Sequence, residues 1–292
     1  MKACAGFVAV LLTLAVPELS RAATIELAGE PVVVGAGAVS SEFTEIRAAS
    51  SPDGRVMLWG STNRPGGPGG WNIWLARRTG ATWSAPEPVS FNSEANDFDP
   101  AFSADGRWVY FFSNRPGGLG GDDIYRVSVT RDGFGKPEHL GPEVNSAGDD
   151  WAPGLSPDGK TLLFSSNGRG GQGKHDLFVS QLKGGKFQTA TPLPGALNTA
   201  DEEFDATFLA DGRSIVFARS PDLEKERITL TFSARGSAGY ERGTTLSFTG
   251  PLHDGDALGP ALDWHDRTVL LFSAAPPNKR ADIYAVHYHT ER

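Results

Sequence analysis

Cysteine is nearly absent from this chain, and the single one, Cys4, precedes an apolar run at the very start. Without a second thiol there is no disulfide and no thiolate metal cluster, and once the leader is removed there is no cysteine nucleophile. Stability therefore has to come from core burial, for which about 270 residues suffice. Long hydrophobic runs are equally scarce. Phe7 to Val16 (FVAVLLTLAV) is about half of the roughly 20 residues that a membrane-crossing helix needs, and no later stretch approaches it. With Lys2 before it and Ser20, Arg21, Ala22 and Ala23 after it, residues 1–23 read as a secretory signal peptide, cleaved after Ala22 or Ala23. A lipid-attachment cysteine would follow the apolar run, whereas Cys4 lies ahead of it. Residues 24–292 are then one periplasmic or secreted domain with no membrane insertion.

Positive charge is in deficit. Loss of Lys2, Arg21 and Glu18 leaves 25 basic against 34 acidic side chains, and the Lys and Arg residues are dispersed, which excludes nucleic acid as a partner. Of the six histidines only His287 and His289 stand close together, so neither a metal nor a cofactor is expected. No Gly-x-Ser-x-Gly elbow occurs, and no helix or Lys-Ser/Thr follows the glycine-rich stretches as in a phosphate loop, so no catalytic residue is assigned.

Glycine and proline are plentiful, at 36 and 20, and no extended 3.6-residue apolar period accompanies them, which points to short strands joined by tight turns. An internal repeat organises those strands. SSPDGRVMLWGSTNRPGGPGGWNIWLARR from Ser50, FSADGRWVYFFSNRPGGLGGDDIYRVSV from Phe102 and LSPDGKTLLFSSNGRGGQGKHDLFVSQL from Leu155 align closely, and weaker copies begin at Phe208 and Leu262. The turn markers Asp53, Asp105, Asp158, Asp211 and His265 are spaced by 52, 53, 53 and 54 residues. Each unit supplies four short strands, the blade pattern of a propeller. The fifth unit stops after its third strand, and Ala28–Val33 near the N-terminus supplies the missing one. The expected fold is all-β, a five-bladed β-propeller of four-stranded antiparallel blades whose last blade is closed by the N-terminal strand.

Ser156-Pro157-Asp158-Gly159-Lys160, the loop Ser113-Asn114-Arg115-Pro116-Gly117-Gly118 and Asp123-Ile124-Tyr125 together resemble the TolB-type β-propeller repeat of bacterial envelope proteins. The resemblance covers nearly the whole mature chain, although the fourth copy lacks the glycine-rich loop and the fifth lacks Asp-Gly. It implies a periplasmic or secreted propeller, WD-repeat-like in build, that serves as a binding module. Such a fold hosts many functions, so the role has to be sought in the site.

In a blade the innermost strand starts at the face where the central channel opens. Eight residues before each turn marker stand Glu45, Asp97, Asp150 and Glu203, with Asp256 nine before His265. Either these carboxylates cap loop amides and pair with arginines of neighbouring blades, or they ring the channel mouth and recruit a cation, a cationic side chain or a hydroxyl-rich ligand. Six residues before the markers the type varies, from Arg47 and Ala152 to Gly259, with Asp99 and Asp205 on non-adjacent blades. Trp151 beside Asp150 is the candidate for stacking on a sugar or an inserted side chain. Arg64, Arg115 and Arg169 in the outer loops either form a docking rim or fix the loops by binding Asp123 and Asp176. Trp59, Phe112, Phe164, Phe217 and Phe272 read as inter-blade core.

Two functions remain open. One is a monomeric, non-catalytic module that binds an envelope protein, a peptide or a glycan. The other is a glycan-cleaving enzyme built on the same scaffold, with its acid and base drawn from the channel-mouth carboxylates.

Overall fold

The protein was examined as a computed structural model, which describes residues 23–291; residues 1–22 of the expected signal peptide, Cys4 among them, lie outside it. Five antiparallel sheets follow one another along the chain, and their inner strands are Thr44–Ser50, Asp97–Phe102, Asp150–Leu155, Glu202–Phe208 and Asp256–Leu262. The expected five-bladed propeller is the observed one. Among the described residues the one helical element is a 3-10 turn at Gly250–Leu252, and no helix is long and apolar enough to cross a membrane.

The repeated Asp-Gly turn works through a local bond network. Ser51 Oγ donates to Asp53 Oδ1 (2.6 Å), which also accepts from Arg55 N (3.1 Å), and Gly54 takes φ 69°. The same bonds recur at Ser103–Asp105–Arg107 and Ser156–Asp158–Lys160. A side chain that bonds its own turn and a glycine that tolerates positive φ together set the hairpin. From there the second strands begin as apolar stretches, Val56 to Trp59 in the first blade and Trp108 to Phe112 in the second. Their aromatics Trp59, Phe112, Phe164, Phe217 and Phe272 are buried between blades as expected. Each such side chain contributes about 2–3 kcal/mol of burial, the order of stabilisation that replaces cross-links here.

The outer strand of the first four blades is broken into two-residue pieces, for example Thr82–Trp83 and Glu87–Pro88. The fifth blade differs. Its outer strand is the ten-residue N-terminal segment Thr24–Val33, antiparallel to Asp282–Glu291, with Thr24 opposite Glu291 and Val33 opposite Tyr284. The two chain ends therefore share a sheet and close the ring, so that the third strand of the fifth blade is not left with a free edge.

Every inner strand carries a bulge at the same place. Pairing shifts between Ile46 and Ala49, Phe98 and Ala101, Trp151 and Gly154, Phe204 and Thr207, and Leu258 and Ala261. The second residue of each shift is left-handed: Arg47, Asp99, Ala152 and Asp205 at φ 49–53° and Gly259 at 58°. A non-glycine residue adopts this conformation at a cost of order 1–2 kcal/mol. Position six before the marker is thus constant in backbone although variable in side chain.

Candidate functional site

The four carboxylates eight residues before the markers are fully buried. Each accepts from a Ser or Thr four residues earlier. Ser41 N reaches Glu45 at 3.2 Å, Ser93 Oγ reaches Asp97 at 2.8 Å, Ser146 N reaches Asp150 at 2.6 Å and Thr199 N reaches Glu203 at 2.8 Å. A guanidinium of the same blade meets three of them: Arg64 and Glu45 at 3.5 Å, Arg115 and Asp97, and Arg219 and Glu203 at 2.9 Å. These groups fix the loop that leads into each inner strand, since a buried carboxylate must be bonded on most of its lone pairs. Burial pushes Glu45 up to about 7, against the pull of Ser41 and Arg64, and also raises Asp150 and Glu203.

Two sequence-based expectations need correction. Asp256 does not belong to this ring: the left-handed residue stands two after each ring position, so Gly259 makes Ala257 the fifth member. Asp256 instead matches Asn96, Asp149 and Glu202, one residue earlier, each of which accepts the backbone N–H opening the third strand of the preceding blade. The eight-residue spacing counted from His265 also falls on Ala257, and only a ninth step reaches Asp256. The second correction concerns the arginines. Arg64 and Arg115 turn inward to the ring carboxylates, and Arg169 donates to the carbonyls of Val144, Pro142 and Asn145, at 2.9–3.1 Å. Asp123 and Asp176 accept from loop amides, Leu119 N at 2.8 Å and Gln172 N at 3.0 Å. Arg219 was missed because it reaches Glu203 from within a strand, in the blade that lacks the glycine-rich loop.

The central channel is filled by the side chains at the bulges. Arg47, 1 % exposed, crosses it, with Nη2 donating to the carbonyls of Pro153 (3.2 Å), Ala206 (3.3 Å) and Ala152 (3.4 Å) in the third and fourth blades. Asp99 and Asp205, the pair from non-adjacent blades, do meet: their carboxyls hydrogen-bond to each other, and Gly259 N donates to Asp205 at 3.0 Å. Gly259 is required here, because a Cβ would come within about 3.0–3.1 Å of the Arg47 backbone at a left-handed φ. Burial raises both Asp99 and Asp205, and the Asp205 charge raises Asp99 further, well above the usual carboxylate range, so the pair shares a proton. One guanidinium, one carboxylate and one carboxylic acid make the plug neutral.

Above the plug lies a group that does not repeat. Trp151 Nε1 donates to Asp122 Oδ2 at 2.8 Å, and its ring stacks on His175 at 3.9 Å between centroids and 19° between planes. His175 Nδ1 lies 2.8 Å from Glu202, which leaves Nε2 as the ring's other nitrogen. That Nε2 and Asp122 Oδ1 are buried without a partner. Burial raises Asp122, which with His175 acts electrostatically on the plug below. Lys174 and Leu119 on the adjoining loops are exposed. Asp122 and His175 differ in type from their counterparts Trp71 and Ile228, and Glu202 shares its position with Asn96, Asp149 and Asp256, residues of mixed type, which is why sequence reasoning found only Trp151. No cluster of three or more His, Cys, Asp or Glu suited to a metal occurs among the described residues.

No protein-family model matches the chain, and no curated protein matches it. Solved propellers do. TolB from Acinetobacter baumannii superposes with TM-score 0.50 at 17 % identity over 86 % of this chain, which spans 57 % of the length of that protein. A putative TolB from Agrobacterium tumefaciens gives 0.52 at 18 % identity, covering 80 % of this chain and 71 % of the other. An endo-arabinase from Bacteroides thetaiotaomicron gives 0.56 at 12 % identity, covering 89 % and 97 %. At such identities the likeness defines the class, a β-propeller with TolB-like and glycan-cleaving structural neighbours alike, and leaves function to the site.

Proposed function

We propose that this chain is an exported, TolB-like propeller acting as a non-catalytic binding module, which receives a protein or peptide of the cell envelope on the face where the inner strands start. One observation carries the reading: Glu45, Asp97 and Glu203 are occupied by loop Ser or Thr groups and an arginine and Asp150 by a loop amide, whereas Asp122, Trp151 and His175 form a blade-specific patch over the plugged channel. A half-buried indole ringed by unpartnered polar atoms, with exposed Leu119 and Lys174 beside it, has the make-up of an interface centre. The enzyme alternative draws less support. Glycosidases hold their two carboxyls about 5–5.5 Å or 6.5–9.5 Å apart around a bound sugar, while Asp99 and Asp205 bond to each other inside a closed plug.

The test is affinity capture from envelope extract with residues 24–292 as bait, beside a folded Trp151→Ala variant, and a parallel assay for reducing ends released from arabinan. A protein retained by the first bait and lost by the second is the expected result. Release of reducing ends without any retained protein would overturn the reading.

A further inference from the structure

We propose a second binding site on the opposite, turn-bearing face: three grooves between consecutive blades that together take a neutral, hydroxyl-rich glycan strand. The grooves lie between the first and second, second and third, and third and fourth blades, with volumes of about 430, 590 and 570 Å³, within the usual range of small-ligand sites. This site shares no residue with the patch at Trp151 and does not depend on it.

The chemistry of the grooves repeats with the blades. Each is bounded by the turn aspartates of both flanking blades, Asp53 and Asp105 in the first, Asp105 and Asp158 in the second, Asp158 and Asp211 in the third. Each also holds an arginine, Arg77, Arg126 or Arg235, and the first two hold a half-buried aromatic wall, Phe134 or Trp108, while Tyr240 of the third is buried in the core. In the first two turns Asp53 and Asp105 use Oδ1 for the hairpin, and Oδ2 stays on the exposed side, 3.8 Å from the next arginine. Carboxylate and guanidinium are planar, two-pronged groups that suit adjacent hydroxyls, and an aromatic wall suits the apolar face of a sugar ring.

Three features select the ligand class. Aspartates and arginines occur together in every groove, so none presents the one-signed field that a polyanion or a polycation needs. The hairpin main chain is already paired, as in Ser51 N to Val56 O and Ser103 N to Trp108 O, leaving no strand edge for a peptide to extend. Asp105 and Asp158 each border two grooves, so the occupant of one groove abuts the occupant of the next. A chain of identical units fits such a series and gains affinity from simultaneous engagement.

The experiment titrates residues 24–292 with neutral gluco-, chito- and arabino-oligosaccharides of one to six units by calorimetry. Asp105→Asn with Asp158→Asn touches all three grooves, while the asparagine carbonyl still accepts from Ser103, Ser156 and the turn amides. One of the three series is expected to bind with affinity rising at least tenfold from one unit to six, at least tenfold weaker in the double variant and unchanged in Trp151→Ala. Absence of saturable binding by every series, or binding untouched in the double variant, overturns the proposal. Loss of binding in Trp151→Ala with the double variant unaffected also overturns it, placing the sugar on the other face. Protein capture by the Trp151 patch is read separately, so failure of either site leaves the other standing.

Discussion

At the scale of single residues the plug is the most demanding feature of the molecule. Arg47, Asp99 and Asp205 are each at least 96 % buried, and their charges act on one another across the closed channel. Removing one partner of a buried ionic set costs about 3–5 kcal/mol, since the remaining charge is left uncompensated. Arg47→Met is therefore expected to lower stability by that order in urea denaturation. Asp99→Asn, which mimics the protonated acid and still donates to Asp205, is expected to stay within about 1 kcal/mol of the parent. The pH dependence follows the same residues. Burial raises Asp99 and Glu45 above their ordinary values, so the folded chain binds more protons than the unfolded one above about pH 4. Stability from these two groups is complete below the unfolded carboxylate range and declines as pH rises. Glu45 contributes to this decline up to about pH 7, and Glu45→Gln should flatten that window. A midpoint that instead rose between pH 5 and 7 in the parent, or a slope unchanged in Glu45→Gln, would contradict the assignment.

At the scale of elements the inner strand is where sequence and structure part. Spacing from the Asp-Gly turn located Glu45, Asp97, Asp150 and Glu203 correctly, because the turn and the strand behind it have fixed length in those four blades. In the fifth blade the same eight-residue spacing falls on Ala257, and Asp256 fits only if the spacing is relaxed to nine. The left-handed bulge was not legible: Arg47, Asp99, Ala152 and Asp205 are residues of unlike type, and only Gly259 carries a local signal for positive φ. Ala152 has neither glycine's freedom nor a side chain that bonds its own backbone. Ala152→Gly is expected to raise the melting temperature by the equivalent of up to about 1 kcal/mol, whereas Ala152→Val should lower it, since a β-branched residue tolerates this region worst. Arg219 supplies a second check. It donates to Glu203, to Leu197 O at 2.7 Å and to Arg242 O at 3.1 Å, so Arg219→Ala should destabilise the fourth blade as Arg115→Ala does the second, each by about 1.5–3 kcal/mol.

At the scale of the whole molecule the repeat made the architecture legible, and the missing strand of the fifth unit made the closure legible. Closure depends on Thr24–Val33 alone, whose outer side faces solvent and whose Val32 is 62 % exposed. A chain lacking residues 24–33 is expected to leave the Asp282–Glu291 strand with an open edge, to melt at lower temperature and to associate at micromolar concentration. Light scattering checks this, and an unchanged monomer with an unchanged melting temperature would show that closure contributes nothing.

What the repeat could not reveal is function, because the residues proposed to carry it are those that break the pattern. The most direct test of that division compares Asp97→Ala with Trp151→Ala for melting temperature and for retention of the captured envelope partner. The account predicts that Asp97→Ala loses stability yet, while folded, keeps the partner, and that Trp151→Ala keeps most of its stability and loses the partner. A stable Asp97→Ala that no longer retains the partner, beside a Trp151→Ala that still does, would contradict it and return the binding role to the buried carboxylates.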